Sequence, residues 1–238
     1  MRVYCHSKAA SEILSALGLT HLAAPDPAGA THHIRLEPIT TLEGMLDAVL
    51  AVGQALAEPA RAMDLLVRLR ARLNSAQDHV NPYLDGPPVF ILDALDPLRV
   101  PGLWVPQLIE RAGGQCPWNP TTAVPEAGAA AGPQMAYRTA GQAVTITPED
   151  LDRHPPEVVI FALVGMPMEE ARVQVREFVQ QDWFRELPAA RSGRVVLVDG
   201  DALATPGPGL VGAFEFLVGF VNGREELIPE STRWERHL

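Results

Sequence analysis

Cysteine is almost missing from this chain: two in 238 residues, Cys5 and Cys116, far apart and with no Cys-x-x-Cys pair. That spacing gives a structural zinc site little support. Long apolar runs are missing too. No stretch of about 18 apolar residues occurs, so no spanning helix is expected. Positive charge is scarce, with 19 Lys and Arg against 29 Asp and Glu, a net charge of -10 and a pI of about 5.1. Without a basic stripe, a phosphate-tracking nucleic-acid surface is not expected. Arg61, Arg68, Arg70 and Arg72 sit together on one helical segment and read as a solvated face. There is no Gly-x-x-x-x-Gly-Lys loop, no Gly-x-Gly-x-x-Gly loop and no Gly-x-Ser-x-Gly elbow. No catalytic constellation is visible, and the chain reads as a non-enzyme.

The N-terminus, Met1-Arg-Val-Tyr-Cys-His6, runs directly into a folded-looking segment. It has no charged region followed by an apolar run and a cleavage site. If Met1 is the start, the cytoplasm is the expected location; if the chain has been trimmed, it is the periplasm or the outside.

Hydrophobic residues make up 47% and charged residues 20%, enough for one large or two small cores and too apolar for global disorder. Residues 2–6 read as a short strand. Ser11 to Leu17 reads as a helix with Ile13, Leu14 and Leu17 inward, closed by Gly18. Ile34 to Pro38 reads as a second strand. Thr40 or Thr41 caps the next helix, with Glu43 in its first turn. Pro59 opens a helix expected to reach Val80, roughly 33 Å at 1.5 Å per residue. That is long enough to brace two lobes.

The second half alternates strand and helix, which implies parallel sheets. Val89 to Leu92 is a short apolar run of the buried parallel type. It is followed by a loop through Asp96-Pro97 and a helix from Trp104 to Ala112, closed by Gly113-Gly114. Trp104 thus stands between a strand's C-terminal end and a helix N-terminus, the edge where open α/β sheets bind ligands. Pro117 to Gly141 reads as loop, with an Ala/Gly/Pro-rich centre from Ala123 to Pro133. Thr147-Pro148 starts a helix, 157–163 is a strand, Met168 to Gln180 a helix and Trp183 to Leu187 a short helical piece. Arg194 to Asp199 is a strand and Leu210 to Val221 the last helix. Glu225 to Leu238 reads as a polar tail, packed by Trp234 or unpacked. The expected architecture is α/β: two Rossmann-like lobes, 1–58 and 88–222, bridged by a long helix over 59–80, with a tail at 223–238.

Leu95-Asp96-Pro97 and Trp104-Val-Pro-x-Leu-x-x-x-Ala-Gly-Gly114 resemble the second-lobe opening of vitamin B12-binding and ferric-siderophore-binding proteins, the helical-backbone receptors of ABC importers. Ser11 to Gly18, Leu36-Glu-Pro-Ile-Thr-Thr-Leu-Glu43, Ile146 to Leu151 with Pro156 to Phe161, Trp183 to Val195, Val198 to Asp201 and Pro206-Gly-Pro208 are similar to later units of that family, in the same order. The resemblance implies a soluble, receptor-like small-molecule-binding protein. Its ligand would be cobalamin, haem or a ferric siderophore. The departures from the pattern are specific. Only residues 21–33 stand where the family has another strand–helix unit. Thr205 and Gly209 replace arginines around Pro-Gly-Pro, and Leu103 replaces a polar residue before Trp104.

The residues expected to line the cleft are His6, Lys8, Glu37, Asp96, Trp104, Met166 and Thr205. Trp104 is either a stacking platform or a plug between lobes. Met166, with Met168, fits core packing better than ligand contact. His6 could ligate a metal or a ring with Cys5 nearby, although a lone histidine has no specificity. His32 and His33 alternate direction on a strand and cannot face one metal together. Glu37 and Asp96 could form a carboxylate pair across the cleft. Asp199 and Asp201 read as turn residues. Two further readings stand beside the receptor. One is a ligand-free receptor fold kept as a protein-interaction subunit. The other is a tetrapyrrole- or metal-handling enzyme of chelatase-like shape, by fold analogy alone.

Overall fold

A computed structural model describes residues 1–124 and 137–237. The first lobe is built on two short parallel strands, β1 (Val3–Cys5) and β2 (His32–Ile34), in the register Val3↔His32 to Cys5↔Ile34. The second strand thus starts and ends earlier than the periodicity suggests, and Glu37 falls beyond it. Helix α1 (Lys8–Ala16) begins three residues ahead of Ser11, because the Ser7 hydroxyl accepts from the Ala10 N–H and caps it. It stops at Gly18, whose φ of 74° suits a residue without Cβ. Helix α2 (Leu42–Ala55) is capped by Thr41, whose side chain accepts from Gly44 N–H, and buries Leu42, Met45, Leu46, Val49 and Val52.

Helix α3 (Pro59–Gln77) is the longest element. Its 19 residues span about 28 Å. One side, with Leu65, Leu66, Leu69 and Leu73 buried, packs on α2 and on the last helix, α9 (Leu210–Val221). It therefore ties the first half of the chain to the second. The arginines expected to form one solvated face divide. Arg72 makes a bidentate pair with Glu215 on α9, at 2.6 and 2.8 Å, and Arg61 meets Glu58 and the Leu17 carbonyl. Arg68 and Arg70 are exposed.

The second lobe carries a four-stranded sheet. Strands β3 (Val89–Leu92), β9 (Val158–Phe161) and β10 (Val195–Val198) are parallel neighbours, and β11 (Trp234–Arg236) runs antiparallel on the β10 edge. Every residue of the three parallel strands is buried, as their unbroken apolar runs require. The expected polar tail is therefore a strand: Trp234 packs against Phe216 and Phe220 of α9, and Glu235 pairs with Arg172 at 2.7 Å. This edge is covered rather than left open to pair with another chain.

Two segments expected as loops are hairpins. After β3 the chain forms β4 (Ala94–Leu95) and β5 (Leu98–Val100), turning at Asp96-Pro97, and β5 also pairs with β8 (Val144–Thr145). Strands β6 (Thr122–Val124) and β7 (Tyr137–Thr139) pair within the stretch read as loop; residues 125–136, most of its Ala/Gly/Pro-rich centre, lie outside the described residues. Helix α4 (Trp104–Arg111) follows the first hairpin, and α5 (Met168–Phe178) and α6 (Asp182–Arg185) stand close to their expected places. Pro148–Leu151 is one 3-10 turn held by a capping box between Thr147 and Asp150. Two short helices have no expectation behind them: α7 (Pro188–Arg191) and α8 (Gly200–Ala204).

Candidate functional site

A pocket of about 200 Å³ opens at the C-terminal edge of the second sheet. Its walls come from the ends of β3 and β9 (Ile91, Ala162, Val164), the entry to α4 (Gly102 to Val105) and α8 (Gly200, Leu203, Ala204). The lining is mainly apolar, with one charged pair: Asp93 accepts from Arg99 Nε at 2.7 Å. The backbone fits closely here. A Cβ on Gly102 would lie 2.4 Å from the Gly141 carbonyl oxygen, and one on Gly200 2.3 Å from that of Leu163. Leu103, between Gly102 and Trp104, sits at φ 57° and donates its N–H to Gly141 O at 2.8 Å. A positive φ in a branched residue costs of order 1–3 kcal/mol and persists only where its surroundings impose it.

Trp104 is the one expected site residue in the wall of this pocket. It is only 8% exposed, and its indole N–H donates to the Leu203 carbonyl at 2.7 Å. It therefore joins α4 to α8 and forms the aromatic side of the pocket.

A seam between the lobes runs beside this pocket. Lys8, at the start of α1, reaches Asp201 on α8 at 2.6 Å. That hydrogen bond holds the Asp201 carboxyl below its ordinary pKa and raises that of Lys8. One turn on, Glu12 packs its carboxylate against Gly207 and Gly209. Burial raises the Glu12 pKa, with the Gly209 N–H and Lys8 working against the rise. Deeper in, Gln107 of α4 is buried; its side chain accepts from Leu42 N–H at 2.9 Å and donates to Glu43 at 2.8 Å. Glu43 also pairs with Arg111 at 2.8 Å.

The other expected residues are dispersed. Lys8 is in the seam, engaged by Asp201. Thr205 is buried at the end of α8, and Met166 is half-buried against the core beside Met168. Glu37 is exposed in the loop after β2, and Asp96 is exposed in the β4–β5 turn. Neither lines the pocket. His6 stands at the exposed end of β1, where desolvation first, then the charges of Arg35 and His33, push its pKa down. Asp199 caps α8 by accepting from Asp201 N–H, which is more specific than a turn role. Among the described residues, no group of three or more His, Cys, Asp and Glu side chains is arranged to hold a metal. Sequence reasoning missed Asp93, Arg99, Gln107 and Leu203. Asp93 follows the apolar run of β3 directly, a position that could have marked it. Arg99 depends on the hairpin and Leu203 on α8, which left no local signal, and Gln107 depends on the packing of α4 against the start of α2.

Burial pushes the Cys116 thiol up to about 12. At pH 8 it is therefore a protonated thiol inside the core, and thiolate is the reacting form. We expect Ellman's reagent to leave Cys116 unmodified in the native protein and to label it on unfolding in guanidinium. The Cys116→Ser variant supplies the baseline from Cys5. Rapid native labelling at Cys116 would contradict the packing.

No protein-family model matches this chain. No curated protein matches it either. Solved structures do. The periplasmic haem-binding protein RhuT from Roseiflexus sp. RS-1 is 19% identical, with a TM-score of 0.68 over 94% of this chain and 98% of that one. The periplasmic vitamin B12-binding protein BtuF of Vibrio cholerae is 15% identical, with a TM-score of 0.66 over 94% and 98%. A possible iron-binding, periplasmic solute-binding protein from Staphylococcus epidermidis is 12% identical, with a TM-score of 0.69 over 92% and 98%. This chain has the fold of these solute-binding proteins, an α/β fold matched almost end to end. The neighbours are periplasmic by description, and nothing in the comparison supports the cytoplasmic location expected from Met1. Among the described residues, no helix is long and apolar enough to cross a membrane.

Proposed function

We propose that the chain is a receptor-like small-molecule-binding protein rather than an enzyme. It takes a bulky metal-bearing ligand of the cobalamin, haem or ferric-siderophore type between its lobes, in the manner of the receptors that serve ABC importers. The lobes are residues 1–58 and 88–222, with 59–80 bridging and the C-terminal strand added to the second. The observation that carries this reading is the apolar pocket with its single ion pair, Asp93–Arg99, at the carboxyl edge of a parallel sheet and beside the inter-lobe seam.

At about 200 Å³ the pocket is smaller than the roughly 300–1,000 Å³ of drug-sized ligand sites. It accommodates one edge of a large ligand, and the rest needs the seam to part. Lys8 and Asp201 have side chains 54% and 49% exposed. A pair that open to water contributes about 0–1 kcal/mol, so a ligand can displace it at low cost.

The second reading, a ligand-free interaction subunit, is favoured by that same closure: Lys8 and Glu12 already occupy the gap. Fluorescence separates the two. A corrin or porphyrin absorbs near tryptophan emission, so binding quenches Trp104. The quench shrinks in Trp104→Phe, which leaves Trp118, Trp183 and Trp234 as background. Equal quenching in the wild type and Trp104→Phe would place the ligand elsewhere. No quenching by haem, cobalamin or a ferric siderophore at saturating concentration would favour the interaction subunit.

A further inference from the structure

The parallel register of β1 and β2 sets Tyr4 opposite His33. Side chains alternate along a strand, so Tyr4 and His6 share one face of the sheet with His33 and Arg35, and His32 points to the other. The sequence places these histidines 27 residues apart and shows no relation between them. In the fold, His6 Nε2 and His33 Nδ1 stand 3.2 Å apart, both on exposed residues. Their ring centroids are 5.4 Å apart with a 40° interplanar angle, and Tyr4 braces His6 edge-on at 4.9 Å. His32 is turned away and bonded to Thr31.

Two imidazole nitrogens bound to one tetrahedral zinc at about 2.0–2.1 Å stand about 3.3 Å apart. The pair already has that separation. The two nitrogens stand within hydrogen-bond distance of each other, and a metal ion would replace that contact after a small rotation of either ring. We propose that His6 and His33 form a two-histidine clip for one borderline transition-metal ion of the Zn²⁺ or Cu²⁺ class. Imidazole suits these ions, whereas hard cations such as Mg²⁺ and Ca²⁺ prefer carboxylate and carbonyl oxygens. No third His, Cys, Asp or Glu side chain is grouped with the pair among the described residues. The ion therefore keeps open positions for water or for an exogenous ligand atom. Arg35, on the same face, opposes the added charge and limits the affinity.

The clip does not depend on the cleft reading, and metal salts alone test it. Calorimetry with Zn²⁺ at pH 7.5 should give one ion per chain. His6→Gln and His33→Gln should each weaken binding at least tenfold, His32→Gln should leave it unchanged, and Mg²⁺ should give no heat. All three histidines are exposed, and far-UV circular dichroism checks that each variant keeps its fold. Substoichiometric Cu²⁺ should broaden the ring-proton NMR signals of His6 and His33 before those of the other five of the seven histidines. No binding at millimolar Zn²⁺, or binding that survives both His6→Gln and His33→Gln, overturns the proposal. So does a loss in His32→Gln as large as in the other two.

Discussion

Trp104→Ala should lower the free energy of unfolding by about 3–5 kcal/mol, the range for deleting a large packed aromatic. Trp104 is 8% exposed and ties α4 to α8 through the Leu203 carbonyl. The substitution removes the indole's contacts and leaves that carbonyl without its donor, and a buried acceptor left unpaired adds about 1–3 kcal/mol of its own. Trp104→Phe restores most of the packing but not the hydrogen bond, and should fall between Ala and wild type. Urea unfolding followed by circular dichroism measures both. A loss below about 1 kcal/mol for Trp104→Ala would mean that the indole is held only loosely and serves the pocket alone.

Gly200→Ala should cost about 3 kcal/mol, the upper end of the usual 1–3 kcal/mol for overpacking. The added Cβ would meet Leu163 O at 2.3 Å, Leu163 C at 2.5 Å and Ala162 O at 2.6 Å. All three are backbone atoms at the end of β9, so no side-chain rotation relieves the clash. Relief requires α8 to move away from the sheet, which opens the pocket wall formed by Leu203 and Ala204. Gly165→Ala is a useful contrast. There a Cβ meets nothing within 4 Å, but φ is 72°, so only backbone strain of about 1 kcal/mol is expected. Similar losses for the two would show that α8 does not approach β9 as closely as described.

Elements whose cause is local were readable in the sequence. Pro59 at the first turn, Thr41 as a cap, the Thr147–Asp150 capping box and the unbroken runs of β3, β9 and β10 each have a short-range signature, and each element begins within a residue of where that signature put it, although the Pro59 helix stops at Gln77 short of Val80, the Thr147 helix is one 3-10 turn, and β9 and β10 are shorter than expected. What could not be read depends on partners distant in the chain. Trp234 to Arg236 alternate too little to mark a strand; they become one because β10 offers a free edge and α9 offers Phe216 and Phe220. The β4–β5 hairpin hides in Asp96-Pro97, a dipeptide that reads equally well as the end of a strand. The site was legible only in outline. Trp104 could be placed at the right edge of the sheet because a strand and a helix flank it. Asp93–Arg99 could not be paired because it needs the β4–β5 hairpin, nor Gln107–Glu43 and Lys8–Asp201, because tertiary register sets them. His6 and His33 show the same limit: alternation separates His32 from His33, but only the strand register brings His6 to His33.

The receptor reading is tested most directly by titrating the intact chain with haem, cobalamin and a ferric siderophore in a calorimeter, beside the variant Ala143→Trp. Ala143 lies at the exposed rim of the pocket, so an indole there fills the opening without entering the core. Saturable heat at one ligand per chain with one of the three, weakened at least tenfold by Ala143→Trp, is the predicted result. No heat with any of the three, or binding that Ala143→Trp leaves unchanged, would contradict it.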